Sequence, residues 1–407
     1  MSGPATVHCV GVLIFLAIAV TVTTVIHLYL WQRLVRDTAR SRRWRRIGGF
    51  AVLGAAVVMV ATLFAEPLLP RSVGWLSAPG YVWLGVMFYL WVWLLVLELP
   101  VLAIRLVQQF SPSAALRRPS APQGRRRSDH DPDRRLLLRR GAAIAAGVAA
   151  VGVSGYGMSR AYGPPKVTRL AVPLARLDPR ADGLRVAVIA DIHVGPLYGA
   201  GQVERMVEIV NRLDADLVTV VGDMVSSEVG KVRESAAPLR GMRSRYGSFF
   251  VTGNHEYYNG YEEWIEAAEE LGLRVLRNQR VEIAHRGGAI DLAGVNDLEG
   301  RRYDDPPDYA AALGDRDPSR PVLLMAHQPV QVHEAATYGV DLQVSGHTHG
   351  GQLYPFDVMV RAEQPVVSGL AEVDGTQVYV TNGVGFWGPP IRVGADPDIT
   401  LLELRSA

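Results

Sequence analysis

The chain has 407 residues, a net charge of +2 and a mean hydropathy of +0.12, high for a protein wholly in water, so part of it is expected in lipid. Cys9 is the only cysteine and sits in an apolar run, which excludes an internal disulfide framework and a thiolate metal site. Any metal is therefore to be held by oxygen and nitrogen.

From Val10 to Leu30 no side chain is charged, and further apolar runs follow at about Ile47 to Leu69 and Tyr81 to Leu97. Each is close to or above the ~18 residues that cross a bilayer. Tyr81, Trp83, Tyr89, Trp91 and Trp93 cluster in the third run, as side chains that seek the interface or pack between helices do. Between the first two runs stand Arg33, Arg36, Arg40, Arg42, Arg43, Arg45 and Arg46 against the single acid Asp37, which makes that loop cytoplasmic. The nearly uncharged loop Glu66 to Gly80 is then outside, and the third span returns inward.

The segment from Arg105 to Arg140 is rich in arginine and interrupted by Pro112, Pro119, Pro122 and Pro132, and is expected as a disordered cytoplasmic linker. A nucleic-acid patch would need interleaved aromatics, which it lacks. After Arg139 and Arg140 comes GAAIAAGVAAVGVSGYG, apolar but built of small residues. It is a fourth span or signal-like helix, or else a buried or interfacial helix. The charge asymmetry favours a span, and with it an extracytoplasmic C-terminal domain. The expected organisation is three spans in 1–104, the linker in 105–140, the fourth apolar helix in 141–160 and a catalytic domain in 161–407.

Beyond YGPPK, short apolar runs alternate with amphipathic stretches in the manner of βαβ units. LRVAVIA reads as a buried strand ending in Asp191, Ile192 and His193, and the helix-like GQVERMVEIVNRLD follows. DLVTVV ends in Gly222 and Asp223, GSFFVT in Gly253, Asn254 and His255, PVLLMA in His327, and VDLQVS in Gly346, His347 and His349. Polar groups at the carboxyl ends of strands open onto one crevice of an α/β sheet, where ligands bind. Seven potential ligands would converge there, a set of hard oxygens and imidazoles suited to Mn, Fe or Zn.

Taken in order, DxH, GD, GNH(D/E), H and GHxH make the chain from about Leu184 onward resemble the calcineurin-like metallophosphoesterase superfamily. GNHEYY, GHTHGGQ and the closing NGVGFWGPPIRVGADPDITLLEL are more specifically similar to its membrane-associated bacterial phosphohydrolase branch. The resemblance implies an α/β sandwich of two sheets flanked by helices. It implies two divalent metal ions, Asp191, His193 and His349 holding one, Asn254, His327 and His347 the other, and Asp223 bridging. It also implies a catalytic imidazole at His255. Such a pair of ions can turn a bridging water into hydroxide that attacks phosphorus in line, with His255 protonating the leaving alkoxide. The expected reaction is hydrolysis of a phosphomonoester or phosphodiester, including a lipid-linked or cell-envelope one, by a multi-pass membrane protein.

Two other readings are a membrane receptor or scaffold with a degenerate phosphoesterase domain, and a nuclease. Every ligand position is filled, which weighs against the first; the C-terminal half lacks a basic, aromatic-interleaved strip, so no nucleic-acid partner is expected. His8, His27 and His130 have no ligand company, and His285 and His333 match no motif position. Asn296 and Asp297, at another strand end, are candidates to hydrogen-bond a ligand imidazole. Gln352 could support the site or be exposed. The loop from Phe386 to Pro390 could line an acyl pocket, though packing against a neighbouring loop is the stronger expectation.

Overall fold

A computed structural model of the chain describes residues 20–65, 71–110 and 132–407. They fall into two compact units: residues 20–65, 79–110 and 132–155 form one, and residues 71–78 with Tyr156–Ala407 form the other.

The first unit is helical. Among the described residues three helices are long and apolar enough to cross a membrane: Arg42–Phe64, Gly74–Pro100 and Asp133–Ala161. Of the first expected span, residues 20–30 are helical and run into Trp31–Arg36, while residues 10–19 lie outside the described residues. The linker expected over 105–140 is helical at both its ends, because one helix continues to Phe110 and the next begins at Pro132. Proline is well placed there, since the first helical N–H has no partner to lose. His27 is fully used inside this unit. Trp83 can only donate, so His27 Nε2 accepts its indole N–H at 3.0 Å and Nδ1–H goes to the Thr23 carbonyl at 2.8 Å.

The second unit is built on two six-stranded sheets. In chain order the strands are β1 (Lys166–Leu174), β2 (Leu184–Ile189), β3 (Leu217–Val221), β4 (Ser248–Val251), β5 (Leu273–Val275), β6 (Gln279–His285), β7 (Gly288–Gly294), β8 (Val322–Met325), β9 (Leu342–Ser345), β10 (Gly369–Val373), β11 (Thr376–Val380) and β12 (Asp398–Ser406). The first sheet runs β1-β12-β2-β3-β4-β5 and the second β10-β11-β9-β8-β7-β6. Strands β2 to β5 are parallel, as are β11, β9, β8 and β7. Parallel strands covered on both faces read as unbroken apolar runs, and β3, β4, β8 and β9 are buried at every position.

The sheets meet face to face through Val186, Val188, Leu217, Phe249, Leu292, Leu323, Leu342 and Val344. On the outer face of the first sheet the amphipathic helix Ala200–Arg212 buries Val203, Met206, Val207 and Val210. The result is the two-sheet sandwich flanked by helices that the sequence implies.

Candidate metal centre

The carboxyl ends of β2, β3, β4, β8 and β9 come to one edge of the sandwich, and the loops leaving them are tied together. Asp191 N–H donates to the Gly222 carbonyl at 3.1 Å, His193 N–H to that of Asp223 at 3.1 Å and Gly346 N–H to that of His327 at 3.0 Å. Asp191, His193, Asp223, His347 and His349 all have φ between 50° and 70°, the left-handed region that non-glycine residues rarely enter. Strain of this kind persists where the surroundings over-determine it, and it turns the side chains inward. Glycine is required where backbones crowd. A Cβ on Gly222, whose φ is +76°, would lie 2.5 Å from His327 Nδ1, and one on Gly253 would lie 2.3 Å from Asp223 Oδ1.

All seven expected ligand positions lie in this edge, with His255 beside them. His193 Nε2 faces His349 Nε2 at 3.0 Å, and Asp191 Oδ1 is 3.5 Å from His349 Nε2. Across the centre, Asp223 Oδ2 is 3.7 Å from His193 Nε2 and 3.3 Å from His327 Nε2, while Asn254 Oδ1 meets His347 Nδ1 at 3.0 Å. The ligand-capable atoms of Asp191, His193 and His349 lie within 4.8 Å of one another, as do those of Asp223, His327 and His347, and of His193, Asp223 and His255. Asp223 thus belongs to two of these three groups, each of which could hold a metal ion.

One atom tests that fit. His327 is fully buried, its Nδ1–H donates to the Val221 carbonyl at 2.8 Å, and its Nε2 has no hydrogen-bond partner. A buried nitrogen left without a partner is costly, and a cation beside Asp223 would satisfy it. Several of these side chains are positioned by further hydrogen bonds. Ser226 Oγ meets His193 Nδ1 at 2.8 Å, and both carboxylate oxygens of Asp191 accept from His347 N–H at 3.0 Å.

Electrostatics follow from crowding in a dry place. Burial raises the Asp191 carboxyl, helped by the charge of Asp223, to about 7. Burial opposes ionisation of Asp223 as well, but the imidazoles of His327, His255 and His193 outweigh it and hold that carboxyl well below the usual range. His327 mirrors this, since burial disfavours its imidazolium and the carboxylates of Asp223 and Asp191 overcome the penalty. Burial lowers His193, His347 and His349, leaving neutral rings ready to ligate. It also lowers His255, against the pull of Asp223. His255 is only half-buried. Its backbone N–H donates to Asp223 Oδ1 at 2.9 Å and its ring packs edge-on against His193, with centroids 4.6 Å apart.

Two supporting residues were given no role by the sequence reading. Glu256 is fully buried, and its carboxylate accepts from the N–H groups of Gly253, Asp223, Met224 and Val225 at 2.7–3.3 Å, clasping the β3 and β4 exits. The acid three residues after Gly253 was the available signal, because that spacing lets a side chain reach back to a helix start. Arg392 is fully buried among the loops around His349, and nothing in its flanking sequence signals this.

Asn296 and Asp297 do not reach a ligand imidazole. Asn296 donates to Asp305 and Asp297 accepts from Gln328, the residue after His327. Gln352 is buried, donating to the carbonyls of Trp387 and Pro389 and accepting from Trp387 N–H. Phe386 is buried edge-on against Tyr162 and Tyr198, whereas Trp387 is exposed. His285 bonds Tyr246 and His333 pairs with Asp374, so both are structural; His8 and His130 lie outside the described residues.

A family model described as calcineurin-like phosphoesterase matches residues 184–351. A transmembrane protein with a metallophosphoesterase domain from Danio rerio is 34% identical over 398 residues, covering 93% of this chain and 86% of its own length. That likeness therefore extends beyond the sandwich into the helical unit. A metallophosphoesterase of Helicobacter pylori is 38% identical over 279 residues, covering 68% of this chain and 74% of its own.

Proposed function

The chain belongs to the calcineurin-like phosphoesterase family and is a membrane-associated phosphoester hydrolase, and from that premise we propose how its residues divide the work. Asp191, His193 and His349 would hold one divalent ion, Asn254, His327 and His347 a second, and Asp223 would serve both. The observation that carries this reading is the position of Asp223, within 3.7 Å of His193 Nε2 on one side and 3.3 Å of His327 Nε2 on the other. The donor set suits Mn, Fe or Zn. Divalent ions held there would supply Lewis-acid stabilisation of a phosphate and a more acidic water.

The remaining chemistry belongs to the chain. The Val221 carbonyl fixes the tautomer of His327 and Ser226 orients His193, so that the lone pairs facing the centre are set before substrate arrives. His255, half-buried and anchored at its backbone N–H to Asp223, hands a proton to the departing alkoxide. Burial holds that imidazole below its ordinary range, against the pull of Asp223, which favours its giving up a proton.

The site lies on the extracytoplasmic side. Supporting this, residues 71–78 belong to the C-terminal unit, and Gly74 packs so closely on Pro196 that a Cβ would sit 2.9 Å from it. If the apolar helices on either side of that loop each cross once, the loop and the sandwich lie opposite the arginine-rich segment Arg33 to Arg46. A lipid-linked phosphoester is the favoured substrate, on the strength of the attached apolar helices and the exposed Trp387.

The test is turnover by the full chain in detergent with added Mn²⁺, on p-nitrophenyl phosphate, its diester and phosphatidic acid in micelles, alongside Asp223→Asn. The variant is expected to lose at least about a hundredfold in kcat/KM, more than a supporting residue costs. Equal turnover would remove the shared-ligand role. Activity confined to soluble esters would remove the lipid-linked one.

A further inference from the structure

Twelve large apolar side chains stand exposed among the described residues of the C-terminal unit, and four of them, Tyr354, Phe356, Val358 and Met359, fall within six consecutive positions. The helix Asp357–Glu363, which carries the last two, buries none of its residues. A patch this concentrated on a folded surface marks a site of contact with something apolar.

What lies beside the patch identifies the partner. Tyr354 N–H donates to the Val393 carbonyl at 2.9 Å, and Leu353 pairs with Val393 as an isolated bridge. The same short segment rests on Gly157, where a Cβ would come within 2.4 Å of Ile391 and 2.8 Å of Val393, and Arg392 N–H donates to the Gly157 carbonyl at 3.0 Å. Gly157 belongs to the final turns of Pro132–Ala161, one of the apolar helices. Trp387, 56% exposed, is tied to this region through Gln352. Trp75, 63% exposed, follows the Gly74 that packs on Pro196 and precedes by three positions the helix Ala78–Phe110. Exposed aromatic and aliphatic groups therefore stand on segments of this unit that adjoin two apolar helices. Tryptophan and tyrosine favour the headgroup level of a bilayer, and short apolar helix faces lie in it.

We propose that Trp75, Tyr354, Phe356, Val358, Met359 and Trp387 form an interfacial face that seats the C-terminal unit in the headgroup layer of the bilayer its own helices cross. The patch begins five residues after His349 in the chain. The occupant is lipid rather than another protein, because the helix ends hold the bilayer beside the face at high effective concentration. This inference rests on the membrane-spanning reading of the helices, and its test separates the two.

The test uses the full chain with Cys9→Ser, single cysteines carrying a nitroxide label, and nanodiscs of phosphatidylglycerol and phosphatidylcholine. Collision rates are measured with oxygen, which enters lipid, and with a nickel chelate, which stays in water. The positions are Met359→Cys and Trp387→Cys on the face, Val57→Cys on an apolar helix and Glu208→Cys on an exposed surface helix. Labels at 359 and 387 are expected to meet the nickel chelate at least about fivefold less often than the label at 208, and oxygen more often, because charged complexes avoid the interface. Water-like collision at 359 and 387 with lipid-like collision at 57 would overturn the face and leave the spans standing. Water-like collision at 57 as well would overturn both. Immobilised labels at 359 and 387 shielded from both reagents would show a protein on the face and also overturn the inference.

Discussion

Arg392 grips His349 twice, its Nη1 donating to the His349 carbonyl at 2.7 Å and its Nη2 meeting ring Nδ1 at 2.9 Å. Its remaining donors reach the carbonyls of Asn382 and Gly385, so one buried guanidinium locks the loop after β11 to a candidate ligand. Burial lowers Arg392 only to about 10, and it keeps its charge at neutral pH. Arg392→Met is expected to cost about 3 kcal/mol of stability, because it strands several buried acceptors. It should also weaken Mn²⁺ binding at least about tenfold, as loss of an orienting group does. Unfolding midpoints and calorimetric metal titration measure the two effects. An unchanged affinity would show that His349 needs no clasp.

In the metal-free protein, burial disfavours a charged His327, yet Asp223 and Asp191 hold its pKa well above the ordinary imidazole value. A metal at Nε2 must then compete with a proton. Metal loading is expected to release at least about one proton per chain and to tighten as pH rises from 6 to 8. Titration calorimetry in buffers of different ionisation enthalpy counts the protons. Zero release at pH 7 would contradict the assignment of His327 as a ligand.

Asp297 accepts from Gln328 Nε2 at 3.0–3.1 Å and from Glu299 N–H at 2.8 Å, but burial still pushes its carboxyl up to about 6. A raised carboxyl favours the protonated native state, so its contribution is full below the unfolded value and is lost as pH climbs through 6. Asn cannot titrate. The stability difference between the parent and Asp297→Asn should therefore shift by roughly 2 kcal/mol between pH 4 and pH 7 in favour of the variant. Denaturant unfolding of both proteins without metal at the two pH values gives the double difference. A constant difference would mean that Asp297 titrates normally.

Gly74 on Pro196 predicts sidedness. In intact cells carrying the Cys9→Ser chain, a membrane-impermeant thiol reagent is expected to label Glu208→Cys and to spare Ser41→Cys until the cells are opened. The reverse pattern would put the sandwich in the cytoplasm.

Much of this protein was legible from the chain alone, because its signals are local. Apolar runs long enough for a bilayer show themselves, and so do five apolar strands each ending in a polar residue. Together these fixed the expectation of apolar helices, the sandwich and the seven candidate ligands. The helical start at Pro132 within an arginine-rich stretch was harder to see, since local charge suggested solvation while helix propensity prevailed.

Tertiary structure alone decided which groups meet. His193 and His349 stand 156 positions apart in sequence, and Arg392 and His349 stand 43 apart. The left-handed backbone at Asp191, Asp223 and His347 is likewise imposed by the neighbouring strand exits and not by any residue's own preference. Asn296 and Asp297 were drawn from the ligands to Asp305 and Gln328 by the same long-range packing. Hydrogen-bond partners and strained dihedrals depend on where distant segments come to rest, whereas period and hydrophobicity are written residue by residue.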